Sequence, residues 1–254
     1  MSRAIVIGAS SGIGRELALG LSRDGYSLGI AARRVELLEQ LRTELRTGRR
    51  EESGAASGAG VLPETLVQYM DVARPEESVA QLAEMIRGMG GVDLVILSSG
   101  IGHINPDLDW TLEKQTLEVN VLGITALVDA AMRHFLEAGA GHLVVLSSVA
   151  ALRGSAEAPA YNASKAYLSN YLEGMRCLVA RKRRNVFVTD VRPGLVDTAM
   201  AQGEGLFWVQ PPAKAAAQIL HAIRRKRRIV YVTHRWALVA GLLTVLPEWL
   251  YRKL

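Results

Sequence analysis

The chain has 254 residues, 30 Lys and Arg against 25 Asp and Glu, and 49% apolar side chains. That is enough to bury a sizeable core in one large α/β domain or two small ones. The single cysteine, Cys177, excludes an intramolecular disulfide framework and a cysteine-rich metal site, and no metal is expected.

Strand-like runs alternate with helical stretches along the whole chain. "AIVIGA" (4–9) leads through a glycine-rich turn into a helix near 13–23, and "SLGIAAR" (27–33) into a helix near 35–47. "TGRREESGAASGAGVLPE" (47–64) is rich in Gly, Ala and Ser and reads as a surface loop, because the alternation resumes directly after it. "LVQYMDV" (66–72) precedes a helix near 75–88, and "DLVILSSG" (93–100) precedes helical sequence near 111–136. "GHLVVLSSVA" (141–150) precedes a helix near 160–181, "NVFVTDVRPG" (185–194) a loop and a helix near 212–225, and "RIVYVT" (228–233) is the last strand.

Seven apolar strands with intervening helices imply a Rossmann-like, doubly wound parallel sheet covered on both faces. One domain over 1–254 is expected, with its core near 3–233 and an apolar helical extension near 234–254. Ligands bind beyond the carboxyl ends of such strands, and the glycine-rich and polar residues fall there. The basic runs "RKRR" (181–184) and "RRKRR" (224–228) stand where helices should end, facing the negative end of the helix dipole, with attraction to an anionic membrane as the alternative. A nucleic-acid partner is not expected, since no aromatic or motif signal accompanies them.

"GASSGIG" sets Gly8, Gly12 and Gly14 between a strand and a helix. Glycine permits a tight turn and close approach of backbone to a pyrophosphate, whose charge the helix N-terminus favours. At the end of the second strand, where an NAD site carries an acid, "AARR" has Ala32 and then Arg33. No carboxylate repels a 2′-phosphate there, and a guanidinium binds one with paired hydrogen bonds, with Arg34 assisting. NADP(H) is therefore the expected cofactor, with NAD(H) left open.

"GASSGIG", Ser148 followed by Tyr161-x-x-x-Lys165, and "RPGLVDT" together resemble the short-chain dehydrogenase/reductase family in its single-domain form, over about residues 3–233. The resemblance implies a catalytic tetrad of Asn120 (in "EVNVLG"), Ser148, Tyr161 and Lys165. Ser148 has the family's spacing, thirteen residues before Tyr161, and Ser147 does not. It also implies cofactor contacts from the turn residues Gly8, Ser10, Ser11, Gly12, Ile13 and Gly14, and from Arg33 and Arg34. Asp71 and Val72 would contact adenine; Ser99, Gly100, Asn120, Tyr161 and Lys165 would also contact the cofactor. Pro193, Gly194, Val196 and Thr198 would lie beside the nicotinamide carboxamide. Two positions depart from the pattern: Ile7 replaces the opening threonine, and Ser98, Ser99 and Gly100 replace "NNAG".

Residues i and i+4 share a helix face, so the Lys165 ammonium is expected to lower the Tyr161 phenol from about 10. The phenol then gives a proton to a carbonyl oxygen or takes one from an alcohol. Ser148 would hold the substrate oxygen, and Asn120 a water relaying protons to Lys165. The expected reaction is hydride transfer between nicotinamide and a carbonyl or alcohol, on a small hydrophobic molecule. Alternatives are an NAD(H)-dependent alcohol dehydrogenase and a dinucleotide-sensing protein without turnover. For the substrate side the candidates are His103, Leu206, Phe207 and Trp208.

The family's habit implies a homo-oligomer, dimer or tetramer. The last segment, "WALVAGLLTVLPEWLYRKL", has an apolar core shorter than the roughly 20 residues of a spanning helix. Packing on protein and a peripheral membrane contact both fit its composition. "MSRAIVIGAS" lacks the apolar region and cleavage site of a signal peptide. The lone cysteine agrees with a reducing compartment, so a cytoplasmic location is expected, with membrane association left open.

Overall fold

The computed structural model describes residues 2–53, 65–197 and 208–252. In chain order its elements are β1 (Arg3–Ile7), α1 (Gly12–Arg23), β2 (Ser27–Ala32), α2 (Val35–Ser53), β3 (Leu66–Tyr69), α3 (Pro75–Gly88) and β4 (Leu94–Leu97). There follow α4 (Trp110–Leu117), a π-helical turn (Glu118–Gly123), α5 (Ile124–Ala138), β5 (Ala140–Leu146), a 3₁₀ turn (Val149–Leu152) and α6 (Pro159–Lys182). The chain closes with β6 (Asn185–Pro193), α7 (Pro212–Arg224), β7 (Ile229–Val232), α8 (His234–Val245) and α9 (Glu248–Tyr251).

The seven strands form one parallel sheet in the order β3-β2-β1-β4-β5-β6-β7. The order reverses between β1 and β4, which opens a crevice beyond their carboxyl ends. Alternation along β1 feeds two cores: Ala4 and Val6 join the layer under α1, α2 and α7, and Ile5 and Ile7 the layer under α3, α5 and α6. This is the doubly wound Rossmann-like fold that the alternation of runs implies.

Three expectations need correction. The helix near 35–47 continues as α2 to Ser53, so the loop read over 47–64 begins later; residues 54–64 lie outside the described residues. Its added turns are rich in Arg and Glu, good helix formers, and Thr43 and Thr47 bond back to carbonyls one turn earlier. The helix near 111–136 is interrupted by the π-helical turn around Asn120. Strands β3, β4 and β5 stop at Tyr69, Leu97 and Leu146, before the ends of their apolar runs. The residues left over form the loops that line the crevice.

The basic runs close helices, as expected. Arg181 and Lys182 occupy the last turn of α6, and His221 and Arg224 the last turn of α7. Arg224 is tied to Asp24, at the end of α1, by a bidentate pair that includes a 2.6 Å contact. The stretch Trp110–Ala138 is long and apolar enough to cross a membrane by length and composition. Its apolar face is spent on the core, through Leu127, Val128, Ala131 and Phe135.

Phe135 is the largest fully buried side chain among the described residues. Phe135→Ala should cost about 3–5 kcal/mol, read from the midpoint of chemical denaturation. His142 is buried and shares a 2.8 Å hydrogen bond with Thr189. Burial, aided by the nearby Lys226 cation, lowers its pKa from 6.5 to about 4. The folded protein therefore binds this proton less readily than the unfolded chain. Stability is fully present above pH about 6.5 and declines as pH falls toward 4, by up to about 3 kcal/mol. His142→Gln should remove that part of the slope when stability is measured across pH 4–7.

Candidate active site

The glycine-rich turn joins β1 to α1. A Cβ at Gly14 would lie 2.2 Å from the Gly8 carbonyl oxygen, so only glycine lets the helix start this close to the strand. Ser11 is the N-cap residue of α1 but makes no side-chain cap bond, and the first turn carries no acid. Its hydroxyl, and that of Ser10, accept instead from Arg34 Nη2 at 2.6 and 3.0 Å. The first amides of α1 and one guanidinium thus converge on the same spot, a setting for an anion. Both arginines are exposed, and of the two it is Arg34 that reaches this turn.

Ile13 is buried at the start of α1, and Val72 is buried just after β3, next to Asp71, whose carboxylate accepts from the Ala73 amide. Ser98, Ser99 and Gly100 follow β4. The Gly8 turn abuts Ser99, and a Cβ at Gly8 would lie 2.6 Å from the Ser99 amide nitrogen. Pro193 ends β6; Val196 is buried and pairs with Gln210. Thr198, Leu206 and Phe207 lie outside the described residues.

Strand β5 ends at Leu146, so Ser147 and Ser148 lie at its carboxyl end. Ser148 caps the 3₁₀ turn, accepting from the Ala150 amide at 3.1 Å. Tyr161 and Lys165 project from the first turns of α6. Ser148 is hydrogen-bonded to Tyr161, and Lys165 Nζ lies 5.7 Å from the centroid of the Tyr161 ring. Lys165 is 3% exposed, and its amine donates to the Leu146 carbonyl at 3.1 Å. Asn120, fully buried, accepts from the Ile101 amide at 2.9 Å and donates to the Ile101 carbonyl and to Ser164 at 2.7 and 3.0 Å. Both its side-chain N–H groups are therefore committed to joining the β4 loop to α6.

The electrostatics differ from expectation in one respect. Burial pushes the Tyr161 phenol above its usual 10, opposed by the hydrogen bond from Ser148. Desolvation of the phenolate outweighs that hydrogen bond. Burial lowers Lys165 to about 8, and the carboxylate of Asp190 opposes that fall. The pair is thus a neutral phenol beside an amine that changes charge near pH 8.

Four contacts here escape sequence reading. Gly102 lets the Tyr161 ring lie on the chain: a Cβ there would be 2.7 Å from a ring carbon. Trp236, from α8, packs on Gly194, and Trp208 stands edge-on to it with ring centroids 6.4 Å apart. Ser147 donates to the buried carboxylate of Asp190, which also accepts from Arg192 Nε at 2.8 Å. Arg153 Nη1 donates to the Leu246 and Leu243 carbonyls at 2.8 and 3.3 Å, binding the loop before Tyr161 to the end of α8. Of the substrate candidates, Trp208 is half exposed. His103 lies on the loop beside Gly102, with its Nε2 buried and unbonded among the described residues. Only the doublet "SS" at 147–148 hinted at any of these in the sequence.

Comparison with known proteins agrees with this geometry. Residues 2–206 match the family model described as short chain dehydrogenase. An uncharacterized oxidoreductase of Myxococcus xanthus is 36% identical over 199 residues, covering 78% of this chain and 73% of its own length. One from Mycobacterium tuberculosis is 30% identical over 257 residues, covering 99% and 96%. Among solved structures, an alcohol dehydrogenase of Thermococcus sibiricus complexed with 5-hydroxy-NADP is 26% identical with a TM-score of 0.73, covering 91% of this chain and 95% of that one. A short-chain dehydrogenase of Sphingobium yanoikuyae in complex with NADPH shares the fold at 21% identity and a TM-score of 0.78, covering 98% and 97%. With the sheet order, the glycine turn and the Ser148, Tyr161, Lys165 cluster already in view, the match over residues 2–206 makes the chain a member of the short-chain dehydrogenase family of oxidoreductases.

Proposed function

We propose that this oxidoreductase interconverts a carbonyl and an alcohol using NADP(H). The observation that carries the reading is the convergence of Ser148, the Tyr161 phenol and the buried Lys165 amine at the carboxyl ends of β5 and β6, on the crevice that begins at the Gly8 turn. The residues fit a phosphorylated dinucleotide. The start of α1 has neither an acid nor a side-chain cap, and Arg34 waits over Ser10 and Ser11. The solved relative with 5-hydroxy-NADP supports the same cofactor class.

When bound, the dinucleotide supplies the hydride that is exchanged at its nicotinamide ring. The protein's own groups handle the proton and the oxygen. Tyr161 carries its proton at neutral pH, because burial holds the phenol above 10. It is therefore poised as a general acid toward a carbonyl oxygen. Ser148 shares hydrogen bonds with that phenol and with the incoming oxygen, polarising the carbonyl. As the proton leaves Tyr161, the Lys165 ammonium offsets the phenolate charge, and it does so below pH about 8, where the amine is protonated. A protonated phenol supports reduction of carbonyls over alcohol oxidation at neutral pH. Asn120 holds the floor of the site rigid through Ile101 and Ser164.

We place His103 and Trp208 on the substrate side, where the Trp208 and Trp236 rings support a small hydrophobic substrate. We read the chain as one domain that assembles as a homo-oligomer. The exposed stripe Leu238, Leu242, Val245 and Trp249 suits a second copy of the chain better than a lipid surface. Its neighbouring cations are engaged: Arg153 on the α8 carbonyls, and Arg252 on Glu248 at 2.5 Å.

Parallel fluorescence titrations with NADPH and NADH test the cofactor. Arg34→Ala should weaken NADPH binding by roughly 10- to 100-fold, the worth of a charge-assisted contact, and leave NADH binding nearly unchanged. Arg33→Ala should act in the same direction and less strongly. Equal losses for both cofactors would remove the 2′-phosphate from the reading. Tyr161→Phe should reduce turnover of a lipophilic ketone by roughly 10²- to 10⁴-fold, with cofactor affinity kept. Full activity in that variant would eliminate the proposed acid.

A further inference from the structure

Asp190 is a fully buried carboxylate in the middle of β6. Burying a carboxylate costs several kcal/mol unless it is paired and hydrogen-bonded, and a Val or Ala would fill a central strand position without that cost. The surroundings show how its oxygens are satisfied. One oxygen accepts from the Ser147 hydroxyl, and the other from Arg192 Nε at 2.8 Å. Arg192 Nη1 in turn donates to the Tyr231 hydroxyl at 3.0 Å, reaching β7. In the sheet register Asp190 is opposite Val145, one residue before Leu146, whose carbonyl receives the Lys165 amine.

The charged and titratable groups around this carboxylate come from each element packed on it. Lys165 and Arg176 approach from α6, with Tyr161 beside Lys165, Arg192 comes from β6 itself, and Tyr231 and Arg228 from the β7 side. Among the described residues, Asp190 is the one anion whose charge acts on Lys165.

We propose that Asp190 is a positioning residue for the Tyr161–Lys165 pair: its carboxylate, fixed by Ser147 and Arg192, is the buried counter-charge that keeps the Lys165 amine protonated where it faces the phenol. The role rests on the reading of Tyr161 and Lys165 as the proton-handling pair. Burial alone drives an amine toward its neutral form, and a neutral Lys165 would give a departing phenol proton no compensation. Asp190 opposes this from beneath the strand ends. Arg192 offsets part of the carboxylate's charge, and Ser147 fills its second oxygen, so the site holds an anion without stranding it.

The test reads Lys165 directly, without cofactor or turnover. The chain has six lysines, so ¹³C-labelled lysine side chains give a small set of NMR signals, and Lys165→Met identifies the one that matters. In the unaltered protein that signal should titrate near pH 8. Asp190→Asn should move its midpoint down by about one pH unit or more, a tenfold or greater loss of proton affinity. Arg192→Gln keeps the carboxylate and removes its partner cation, so its midpoint should stay or rise. The double variant Asp190→Ala, Arg192→Leu exchanges both charges for apolar groups, a change that buried pairs tolerate. It should reproduce the Asp190→Asn result even if that single variant folds poorly. An unchanged midpoint without the carboxylate, or equal downward shifts in the Asp190→Asn and Arg192→Gln proteins, would make Asp190 a purely structural ion pair and overturn the proposal. Loss of NADPH binding or turnover in the unaltered protein would instead strike the proposed function and leave this titration standing.

Discussion

A single amine placed inside the protein sets the terms for the rest of the site. Lys165 is 3% exposed, and its donor lies against the carbonyl of the last residue of β5. A lysine so placed loses most of its hydration, and its proton affinity falls to about pH 8. The fold meets that cost in two ways. β5 ends at Leu146, which leaves a strand carbonyl pointing at the amine, and β6 carries a carboxylate beneath it. The same burial raises the phenol of Tyr161, so the two groups are drawn toward neutrality from opposite sides.

Strand endings matter as much as strand positions. The apolar runs at 66–72, 93–100 and 141–150 look longer than the strands they build. Their last residues leave the sheet and become the walls of the crevice. Ser98, Ser99 and Gly100 after β4, and Ser147 and Ser148 after β5, are the result. Short polar side chains there leave room for a ligand while satisfying the backbone groups that the sheet has released.

What could be read from the sequence was what depends on neighbours in the chain. Alternation of apolar runs marked every strand, and the glycines after β1 and the four-residue spacing of Tyr161 and Lys165 marked the turn and the helix face. The parts that stayed hidden depend on partners far along the chain. The π-helical turn at Asn120 forms where its side chain ties Ile101 to Ser164, 19 residues before it and 44 after it. Ser147 has no motif, and its meaning appears only when β6 brings Asp190 alongside, 43 residues on. Arg33 and Arg34 are indistinguishable as a pair of letters, and the direction of the chain leaving β2 decides which one reaches Ser10 and Ser11. Helix α2 outran its expected end because a local Gly, Gly48, is tolerated in an exposed turn with open space around it.

The C-terminal side of the site is built differently from the Tyr161–Lys165 pair. The family match ends at residue 206, yet elements beyond it complete the rim of the site. Trp236 packs on Gly194, and Arg153, from the loop between Ser148 and Tyr161, donates to carbonyls at the end of α8. The Tyr251 hydroxyl donates to the Gly154 carbonyl of the same loop, and the Arg153 guanidinium lies 4.4 Å from the centroid of the Tyr251 ring. The C-terminal extension is therefore fastened at both ends to segments that flank the catalytic candidates. The region matched by the family thus holds Ser148, Tyr161 and Lys165, and the extension beyond it closes one side of their surroundings.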